Sequence, residues 1–492
     1  MEHCALILAA GSGYRIVKTI NTPKCLIKIN DKTILEHQLN SFELAGIKQI
    51  YIVVGFQASK VKKFLKKYNK KFLIKIIHNR DFKKTNNMYS AHLASKFLIN
   101  KKFILCNADV VIEKHIVKKL ISGKNHNEIL VDKNFFDEES MKIKFNSLKR
   151  IVDISKKITK NNSFTSIDFY KFSEQASKNL FYEIDRHINK ISKNDWTEIS
   201  LKKILSTSDF YFNDIKKLKW CEIDTYKDLI FAENKFDDLN KKIFKKYKNF
   251  VVDIDGTTFK KQVPIDGTYN FLQKIKKNKK KITFLSNNSS LDLNSFINLF
   301  KKVNFKVTKT NIIISTDVLI RYLNDNKINR VFASGNKKFI NTLKRNKITI
   351  TKNNPDIIIV SYDDEINYKK LKLLSELLNE GIKFVATHND NFYPSQNGPI
   401  PDTGSILSLL ETTTGRKPIK IFGKPSVEIK KLLKLKGKTL VIGDKVTKDI
   451  QFAKNCGYDS ALIMTEQNFV NIKKIPIKLK PDYLLSSIKD LS

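Results

Sequence analysis

Short apolar runs alternate with amphipathic helical patterns along most of this 492-residue chain. In the first half the apolar runs are ALILAA, QIYIVVG, FLIKIIHN and KFILCNADVVI, and the segments between them repeat apolar residues at helical spacing. This alternation is typical of a parallel sheet with helices on both faces, where ligands bind beyond the carboxyl ends of the strands. It predicts a doubly wound α/β domain with a cleft at that edge.

A second alternation begins at FVVDIDGT and continues through KITFLSNNSS, RVFASGN, DIIIVSYDD, KFVATHND and TLVIGDK, so we expect a second doubly wound α/β domain. In the first half, residues 129–172 predict a small β-rich extension that covers the cleft, and residues 220–224 predict a last strand. A lysine-ended helical pattern follows. We therefore expect a first domain at residues 1–235, a helical linker at 236–247 and a second domain at 248–492.

The chain is strongly basic, with 91 Lys and Arg against 49 Asp and Glu and a formal net charge of +42. Nucleic-acid-binding proteins usually cluster their cations on one face and use Arg for bidentate contacts. Here the excess is mostly Lys and is spread through every segment, which favours a compositional bias. A basic nucleic-acid-binding protein stays open as the alternative of another class, and it predicts steeply salt-dependent binding.

The five cysteines lie in apolar contexts without CxxC spacing, so we interpret them as reduced core residues. The chain opens without a signal-peptide pattern, and it contains no apolar stretch of about 18 residues. These features predict a cytoplasmic protein without a membrane span. The oligomeric state stays open.

A glycine loop follows the first predicted strand, in LILAAGSGYR, and TPK comes shortly after it. Small residues let backbone N–H groups approach a phosphate, and nearby cations neutralise its charge. Asp109 and Asp224 lie at the ends of predicted strands and suit a Mg²⁺ ion that also contacts substrate phosphates. Together these features predict nucleotidyl transfer, although a GSG by itself is more often an ordinary turn. The loop candidates are Ala9, Ala10, Gly11, Gly13, Arg15 and Lys24.

The motifs LAAGSGYR…TPKCLIKIND, VVG, NADVVI and EIDTYKDL resemble those of sugar-1-phosphate and phosphocholine nucleotidyltransferases, over about residues 4–235. TNNMYSAHLA and CEIDTYKDL are most similar to the CTP:phosphocholine cytidylyltransferase branch. The resemblance implies a Rossmann-like fold that uses CTP and Mg²⁺. It implies that Gly11, Gly13, Arg15 and Lys24 bind the triphosphate, that Ala9 and Ala10 border the base, and that Asp109 and Asp224 bind the metal.

The sequence departs from the motifs of that branch at two points, which affect the identity of the substrate more than the class of reaction. The loop lacks the proline that usually follows the arginine, and Asn107 stands where the branch often has a carboxylate. Asn87 belongs to the shared NN-aromatic-S element, and an aromatic wall of Tyr89, Trp196 and Phe169 is expected to hold a quaternary ammonium through cation–π attraction, unless these rings only pack in the core.

Several phosphorylated acceptors remain open. They are phosphocholine, phosphoethanolamine, aminoethylphosphonate, phosphorylated amino acids or polyols, and sugar phosphates. A sugar-1-phosphate nucleotidyltransferase that uses UTP or dTTP is the alternative within the same class.

The second half opens with the sequence Asp253-Ile-Asp255-Gly-Thr after an apolar run. A carboxylate at a strand tip can attack phosphorus, and a second one two residues later can transfer protons. Ser286 and Asn287 follow the next strand, where Ser286 is expected to bind the phosphoryl oxygen. Lys424 in GKPS supplies positive charge, and Asp444 with Asp449 are expected to anchor Mg²⁺.

This ordered set resembles the haloacid dehalogenase-like phosphatases over about residues 248–475, and LSNNSS, ATHND and FGKPS are most similar to the p-nitrophenylphosphatase and N-acetylglucosamine-phosphate phosphatase subfamily. The resemblance implies an α/β cap at about residues 312–400 and a Mg²⁺ ion held by Asp253, Asp444 and the Asp255 carbonyl. It assigns Asn287 to the substrate. We therefore expect a bifunctional enzyme, a cytidylyltransferase fused to a phosphatase, whose CDP-linked product decorates a cell-surface polysaccharide or lipid.

Overall fold

The computed structural model describes residues 3–13, 16, 21–136, 138–161, 163–289, 291, 293–395, 398–465 and 475–492. The chain divides into two compact units, Met1–Asp237 and Asp238–Ser492. Each unit is built around its own sheets and its own hydrophobic clusters.

The strands of the first unit are β1 Cys4–Ala9, β2 Lys28–Ile29, β3 Lys32–Thr33, β4 Gln49–Val54, β5 Leu73–His78, β6 Phe103–Asn107, β7 Val110–Ile112, β8 Glu128–Asp132, β9 Lys142–Phe145, β10 Ile151–Ser155, β11 Ser163–Phe172, β12 Tyr211–Asp214 and β13 Trp220–Glu222. Its helices are α1 Ile34–Leu44, α2 Ala58–Leu65, α3 Asn87–Leu98, α4 Ile116–Ile121, α5 Glu174–Lys190, α6 Thr197–Ile204 and α7 Tyr226–Phe236.

The main sheet of this unit has the order β10-β9-β11-β6-β1-β4-β5, with β8 and β12 attached beside β11. Strands β6, β1, β4 and β5 run parallel, which confirms the predicted parallel arrangement for this part of the sheet. The β-rich extension expected at residues 129–172 is part of the main sheet, because the largely buried β11 pairs antiparallel with β6. β13 pairs separately with β7.

Strand β1 is apolar at every position because both faces of the sheet are covered. In β1, Leu6 and Leu8 belong to one hydrophobic cluster, while Ala5 and Ile7 belong to the cluster on the opposite side. Successive side chains of a strand point to opposite faces, so a continuous apolar run requires a core on each side. The polar residues that follow these strands are therefore confined to the sheet edge.

The strands of the second unit are β14 Asn249–Asp253, β15 Phe259–Lys260, β16 Val263–Pro264, β17 Lys281–Ser286, β18 Ile312–Ile314, β19 Arg330–Ser334, β20 Thr349–Ile350, β21 Ile357–Val360, β22 Phe384–Ala386, β23 Phe392–Ser395, β24 Gly398–Pro401, β25 Lys420–Ile421, β26 Thr439–Gly443, β27 Asp459–Ile463 and β28 Tyr483–Leu485. Its helices are α8 Leu239–Lys246, α9 Thr268–Lys277, α10 Leu293–Lys301, α11 Ser315–Asp325, α12 Lys337–Arg345, α13 Tyr368–Asn379, α14 Thr403–Thr414, α15 Lys430–Leu433 and α16 Gln451–Cys456.

Two parallel sheets organise the second unit, with the orders β18-β17-β14-β26-β27-β28 and β20-β19-β21-β22-β25. The expected cap range of residues 312–400 differs from the second sheet at both ends. Strand β18 pairs with β17 in the first sheet, and β25 pairs with β22 in the second. Helix α8, which was expected in a linker, packs Ile243 and Phe244 into the hydrophobic core of the second unit.

No helix in the described part of the chain is long and apolar enough to cross a membrane. All five cysteines are buried as free thiols, at Cys4, Cys25, Cys106, Cys221 and Cys456.

We expect Phe103→Ala to destabilise the first unit by about 3–5 kcal/mol, because it removes a buried ring from a tightly packed core. Phe103 is fully buried, and its ring lies 4.8 Å from that of Phe172. Chemical denaturation followed by tryptophan fluorescence measures this loss selectively, since both tryptophans, Trp196 and Trp220, lie in the first unit.

Leu148→Ala is the matched control for this substitution. Leu148 is 78% exposed, and its truncation is expected to change the unfolding free energy by less than about 0.5 kcal/mol. Equal losses in the two variants would contradict the packing argument.

Candidate active sites of the two units

A cavity of about 310 Å³ opens at the carboxyl ends of β1 and β6 in the first unit. It collects most of the residues that the sequence singled out for this half. Those that line it are Ala9, Ala10, Gly11, Gly13, Lys24, Asn87, Asn107, Asp109, Trp196 and Asp224. Arg15, the other predicted triphosphate ligand, lies outside the described residues.

The glycine loop packs closely against neighbouring backbone and side chains. Gly13 has φ +57°, and a Cβ atom there would lie 3.3 Å from Cγ of Lys24. At Gly55, which follows β4, a Cβ atom would lie 2.6 Å from the carbonyl oxygen of Ala10. A side chain at Gly55 would clash with the Ala10 backbone, and one at Gly13 would be strained by the positive φ of the turn beside Lys24.

Lys24 forms the electrostatic centre of this cavity. Its Nζ atom donates to Oδ2 of Asp109 at 2.8 Å and also to Oδ1 of Asp224. Burial by itself lowers the pKa of Lys24, but the two carboxylates outweigh it and hold that pKa above its usual range. The capping box of α7 fixes the backbone beside this contact, because Oδ2 of Asp228 accepts from the N–H of Asp224 at 3.0 Å.

The carboxylates in this cavity fit a divalent cation. Carboxylate oxygens of Asp109, Glu222 and Asp224 lie within 4.8 Å of one another. Oδ1 of Asp109 is buried and has no hydrogen-bond partner among the described residues. Burial raises the pKa of Glu222, as do the charges of Asp109 and its other acidic neighbours. A cation at this point would satisfy the unpaired oxygen and relieve the repulsion.

A hydrogen-bonded row of polar side chains forms another wall of the cavity. Nδ2 of Asn87 donates to Oδ1 of Asn107 at 3.5 Å, and Nδ2 of Asn107 donates to Oδ2 of Asp168 at 3.1 Å. The Tyr170 hydroxyl lies 2.8 Å from Oδ1 of Asp168 and 3.0 Å from Oε1 of Glu198. Asp168 has φ 56°, and the register between β11 and β8 shifts around it. This irregularity directs a carboxylate into the cavity from within a strand.

The expected aromatic wall is reduced to one ring. Trp196 lines the cavity and is 44% exposed, with Nζ of Lys156 lying 5.0 Å from its ring. Phe169 is fully buried in the hydrophobic core. Tyr89 stacks on His92 and is not among the described residues that line the cavity. Adjacent strand residues face opposite sides, so Phe169 points away from the face that Asp168 presents.

Three acidic residues of this cavity were not singled out from the sequence. Glu222 carried a usable signal, because it lies two residues before Asp224 and this spacing places both on one side of an extended chain. Glu198 resembles an ordinary acidic residue in the first turn of a helix. The position of the Asp168 carboxylate depends on a local left-handed backbone conformation, and no neighbouring glycine or proline in the sequence indicates that conformation.

In the second unit, Lys424 brings the predicted carboxylates together. Its Nζ atom donates to Oδ1 of Asp253 and, at 2.6 Å, to Oδ1 of Asp449. Burial lowers the pKa of Lys424, but Asp253 and Asp449 outweigh this effect and raise that pKa above its usual range. The Thr257 hydroxyl also donates to Oδ2 of Asp253, at 3.1 Å. The nucleophile candidate is therefore held by two separate segments.

The remaining candidates of this site lie around the same sheet edge. Asp253 is paired in register with Leu285, which precedes Ser286 at the end of β17, and Asp255 lies exposed after β14. Asn287, expected at the substrate, instead accepts from the N–H of Lys424 at 2.7 Å and donates to Oδ2 of Asp390 at 3.1 Å. The side-chain amide of Asn287 is therefore engaged in holding the segment around Lys424.

The carboxylates of the second site also fit a divalent cation. Oxygens of Asp253, Asp444 and Asp449 lie within 4.8 Å of one another, while Asp255 is not part of this group of carboxylates. Burial, followed by the charge of Asp449, raises the pKa of Asp444 to about 6. Gly256 has φ +89°, and a Cβ atom there would lie 2.5 Å from Oδ2 of Asp444. Glycine therefore leaves room for this carboxylate beside the Asp255–Gly256 turn.

We expect Glu198→Gln to alter how the stability of the first unit depends on pH. Burial, followed by the charge of Asp168, raises the pKa of Glu198 from 4.5 to about 7. A carboxyl whose pKa is raised by folding retains its proton in the folded state, so its contribution to stability decreases as pH rises from 4.5 through 7. Glutamine cannot ionise and removes this contribution.

Denaturation followed by tryptophan fluorescence at pH 4.5 and pH 8 measures the effect. The unfolding free energy of the wild type should fall by about 3 kcal/mol more than that of Glu198→Gln over this interval. Parallel pH profiles for the two proteins would contradict the raised pKa.

Comparisons with known proteins agree with this division of the chain. The family profile of the MobA-like NTP transferase domain matches residues 5–134. The haloacid dehalogenase-like hydrolase profile matches residues 250–349, and the HAD-hydrolase-like profile matches residues 416–491. These matches confirm both resemblances drawn from the motifs.

Individual relatives cover one half of the chain each. A CTP:phosphoglutamine cytidylyltransferase of Campylobacter jejuni is 30% identical over 214 residues, which are 39% of this chain and 82% of the relative. The 5'-nucleotidase YutF of Bacillus subtilis is 26% identical over 227 residues, which are 45% of this chain and 88% of the relative. A solved 4-nitrophenylphosphatase of Thermotoga maritima has 28% identity and a TM-score of 0.47, covering 51% of this chain and 97% of its own. The chain therefore carries a MobA-like NTP transferase domain in its first half and haloacid dehalogenase-like hydrolase domains in its second.

Proposed function

We propose that the first unit transfers a cytidylyl group from CTP to a phosphorylated small molecule, releasing pyrophosphate. The observation that carries this proposal is the contact of Lys24 with both Asp109 and Asp224 beside the glycine loop. Transfer of a nucleotidyl group develops negative charge on the departing pyrophosphate, which Lys24 together with a divalent cation held by the carboxylates would neutralise. The similar cytidylyltransferase of Campylobacter jejuni supports CTP as the nucleotide.

The transfer breaks one phosphoanhydride bond and forms another. An oxygen of the acceptor phosphate attacks the α-phosphorus of CTP, and the bond to the β-phosphate breaks as pyrophosphate leaves. Lys24 and the backbone amides near Gly11 and Gly13 bind the phosphates and orient them for this attack. A bound Mg²⁺, which Asp109, Glu222 and Asp224 would hold, supplies further charge neutralisation.

The acidic wall of the cavity supports an acceptor that carries an ammonium group with N–H donors. Asp168 and Glu198 both lie next to the Tyr170 hydroxyl, which has a single proton to donate. Neither carboxylate forms an ion pair with a lysine or arginine in the described ranges. A primary ammonium can donate to both oxygens, whereas a trimethylammonium cannot. Phosphoethanolamine and phosphorylated amino acids therefore fit this wall better than phosphocholine.

We propose that the second unit hydrolyses a phosphomonoester. The Asp253 carboxylate attacks phosphorus, and the ester oxygen leaves with a proton from Asp255, so that an aspartyl phosphate forms. Water then attacks this phosphorus while Asp255 accepts its proton, and phosphate is released from Asp253. Lys424 stabilises the charge on the phosphoryl group. A bound Mg²⁺, which Asp253, Asp444 and the Asp255 carbonyl would hold, supplies further charge stabilisation.

The buried free thiols are compatible with the cytoplasm as the location of both reactions. A CDP-linked product for a surface polysaccharide or lipid is part of this proposal, and both successive use of the two sites and co-regulation without shared intermediates are compatible with it.

Pyrophosphate release tests the transferase. The purified chain is supplied with CTP, UTP, ATP, GTP or dTTP and with phosphoethanolamine, its N-methyl and N,N-dimethyl derivatives, phosphocholine or a sugar 1-phosphate. We expect CTP to be preferred, and we expect kcat/KM to fall at least tenfold from phosphoethanolamine to phosphocholine. Lys24→Met should lower kcat by at least 100-fold, because the triphosphate loses a neighbouring cation.

A preference for UTP or dTTP with sugar 1-phosphates would favour the alternative transferase. Release of no pyrophosphate from any combination would exclude the assignment. Salt-dependent nucleic-acid binding without turnover would favour the basic binding protein instead.

Asp253→Asn should abolish hydrolysis of p-nitrophenyl phosphate, because the amide is a poor nucleophile. The expected loss in kcat is at least 1000-fold, and release of p-nitrophenol measures it. Pyrophosphate release by the same preparation controls for correct folding of the rest of the protein. Undiminished phosphatase turnover in this variant would refute the role of Asp253.

A further inference from the structure

Gln38 is a fully buried polar residue that contacts the backbone on either side of Asp109, one of the candidate cation ligands. It lies on α1, whose first turn is fixed by the capping box between Thr33 and Glu36. Its Nε2 atom donates to the carbonyl oxygen of Asn107 at 2.8 Å and to that of Val110 at 2.9 Å. A side-chain amide has two N–H donors, so both are used on these carbonyls.

These two carbonyls lie on either side of Asp109. The turn between β6 and β7 is also held by the N–H of Ala108, which donates to Leu8 O at 3.1 Å, and by the Asp109 carbonyl, which accepts from the N–H of Ile223 at 3.0 Å. The ends of β1 and β13 thus hold the middle of the turn, and Gln38 holds both of its ends. The Asp109 carboxylate projects from this turn toward Lys24.

The oxygen of the Gln38 amide indicates that packing alone does not explain why a glutamine occupies this buried position. Oε1 is buried and has no hydrogen-bond partner among the described residues. A buried acceptor without a donor destabilises a fold, whereas an apolar side chain of similar length would avoid that penalty. Gln38 therefore contributes to the structure through its two N–H donors, which bind the carbonyls of Asn107 and Val110.

We propose that Gln38 is a positioning residue for nucleotidyl transfer, which fixes the turn carrying Asp109 so that this carboxylate meets Lys24, Asp224 and a divalent cation. This role rests on the proposed function of the first unit. A carboxylate that moves by about 1 Å loses much of its value for binding a cation or orienting phosphates, so the support behind it affects the chemistry.

Gln38→Met removes both donors and keeps the length of the side chain. Ser41→Ala is the matched control, because Ser41 is also fully buried on α1 but its hydroxyl accepts from the N–H of Val117, away from the turn. Tryptophan-monitored denaturation of the full-length chain reports how far each substitution destabilises the first unit.

The first measurement is kinetic. Gln38→Met should lower kcat for pyrophosphate release at least tenfold and raise the Mg²⁺ concentration for half-maximal rate at least fivefold, with the KM of the acceptor changed less than twofold. Ser41→Ala should leave all three values within twofold, even if it destabilises the unit as much. Equal kinetic losses in the two variants would reduce Gln38 to a structural residue and overturn the proposal.

The second measurement does not depend on turnover. Mn²⁺ binding to the full-length chain is followed by electron paramagnetic resonance, and the site of the first unit is identified by its loss in Asp109→Asn. Gln38→Met should weaken that site at least fivefold and leave the site of the second unit unchanged. Unchanged binding at both sites, or no wild-type site that Asp109→Asn removes, would overturn the proposal.

The two measurements separate this role from the proposed function. Weakened Mn²⁺ binding in Gln38→Met, in a protein that releases no pyrophosphate with any substrate pair, would show that Gln38 positions Asp109 for cation binding and would refute the transferase assignment. Normal wild-type turnover with an unaffected kcat in Gln38→Met would support the transferase assignment and refute the positioning role of Gln38.

Discussion

A lysine contacts two carboxylates in each unit, and the candidate sites depend on this interaction. Lys24 contacts Asp109 and Asp224, and Lys424 contacts Asp253 and Asp449. Acidic groups crowded at a sheet edge repel one another and lose hydration, so they ionise readily only beside a compensating cation. Because each lysine comes from a different segment than its partners, the contact also fixes the loops around the site.

The sheets determine where these charges can meet. Central strands with apolar residues on both faces leave polar side chains only at their ends, so Asp109 and Asp253 emerge at the carboxyl edges of β6 and β14. Around these carboxylates, the backbone conformation is fixed by glycines that have little space for a Cβ atom and by buried side-chain amides. Gly256 leaves room for Asp444, and Asn287 holds Lys424.

The two sites handle phosphate in different ways. The first offers a glycine loop with a lysine, which suits a triphosphate, and an acidic wall at Asp168 and Glu198, which suits a cationic substituent. The second has the proposed nucleophile Asp253 and the proposed proton donor Asp255 two residues later. In both proposed reactions a nucleophile attacks phosphorus, but only in the second would a bond form between phosphorus and the protein.

The sequence by itself determined the two α/β folds and most residues around Lys24 and Lys424, because strand periodicity and motifs such as DxDGT act over a few residues. It did not determine the pairing of β11 with β6 or the limits of the second sheet in the second unit, since strand partners are chosen by distant segments. Only the tertiary structure brought Asp168, Glu198 and Gln38 to the first site. Their positions depend on a left-handed residue within a strand and on helices packed behind a turn, and neither has a local signature.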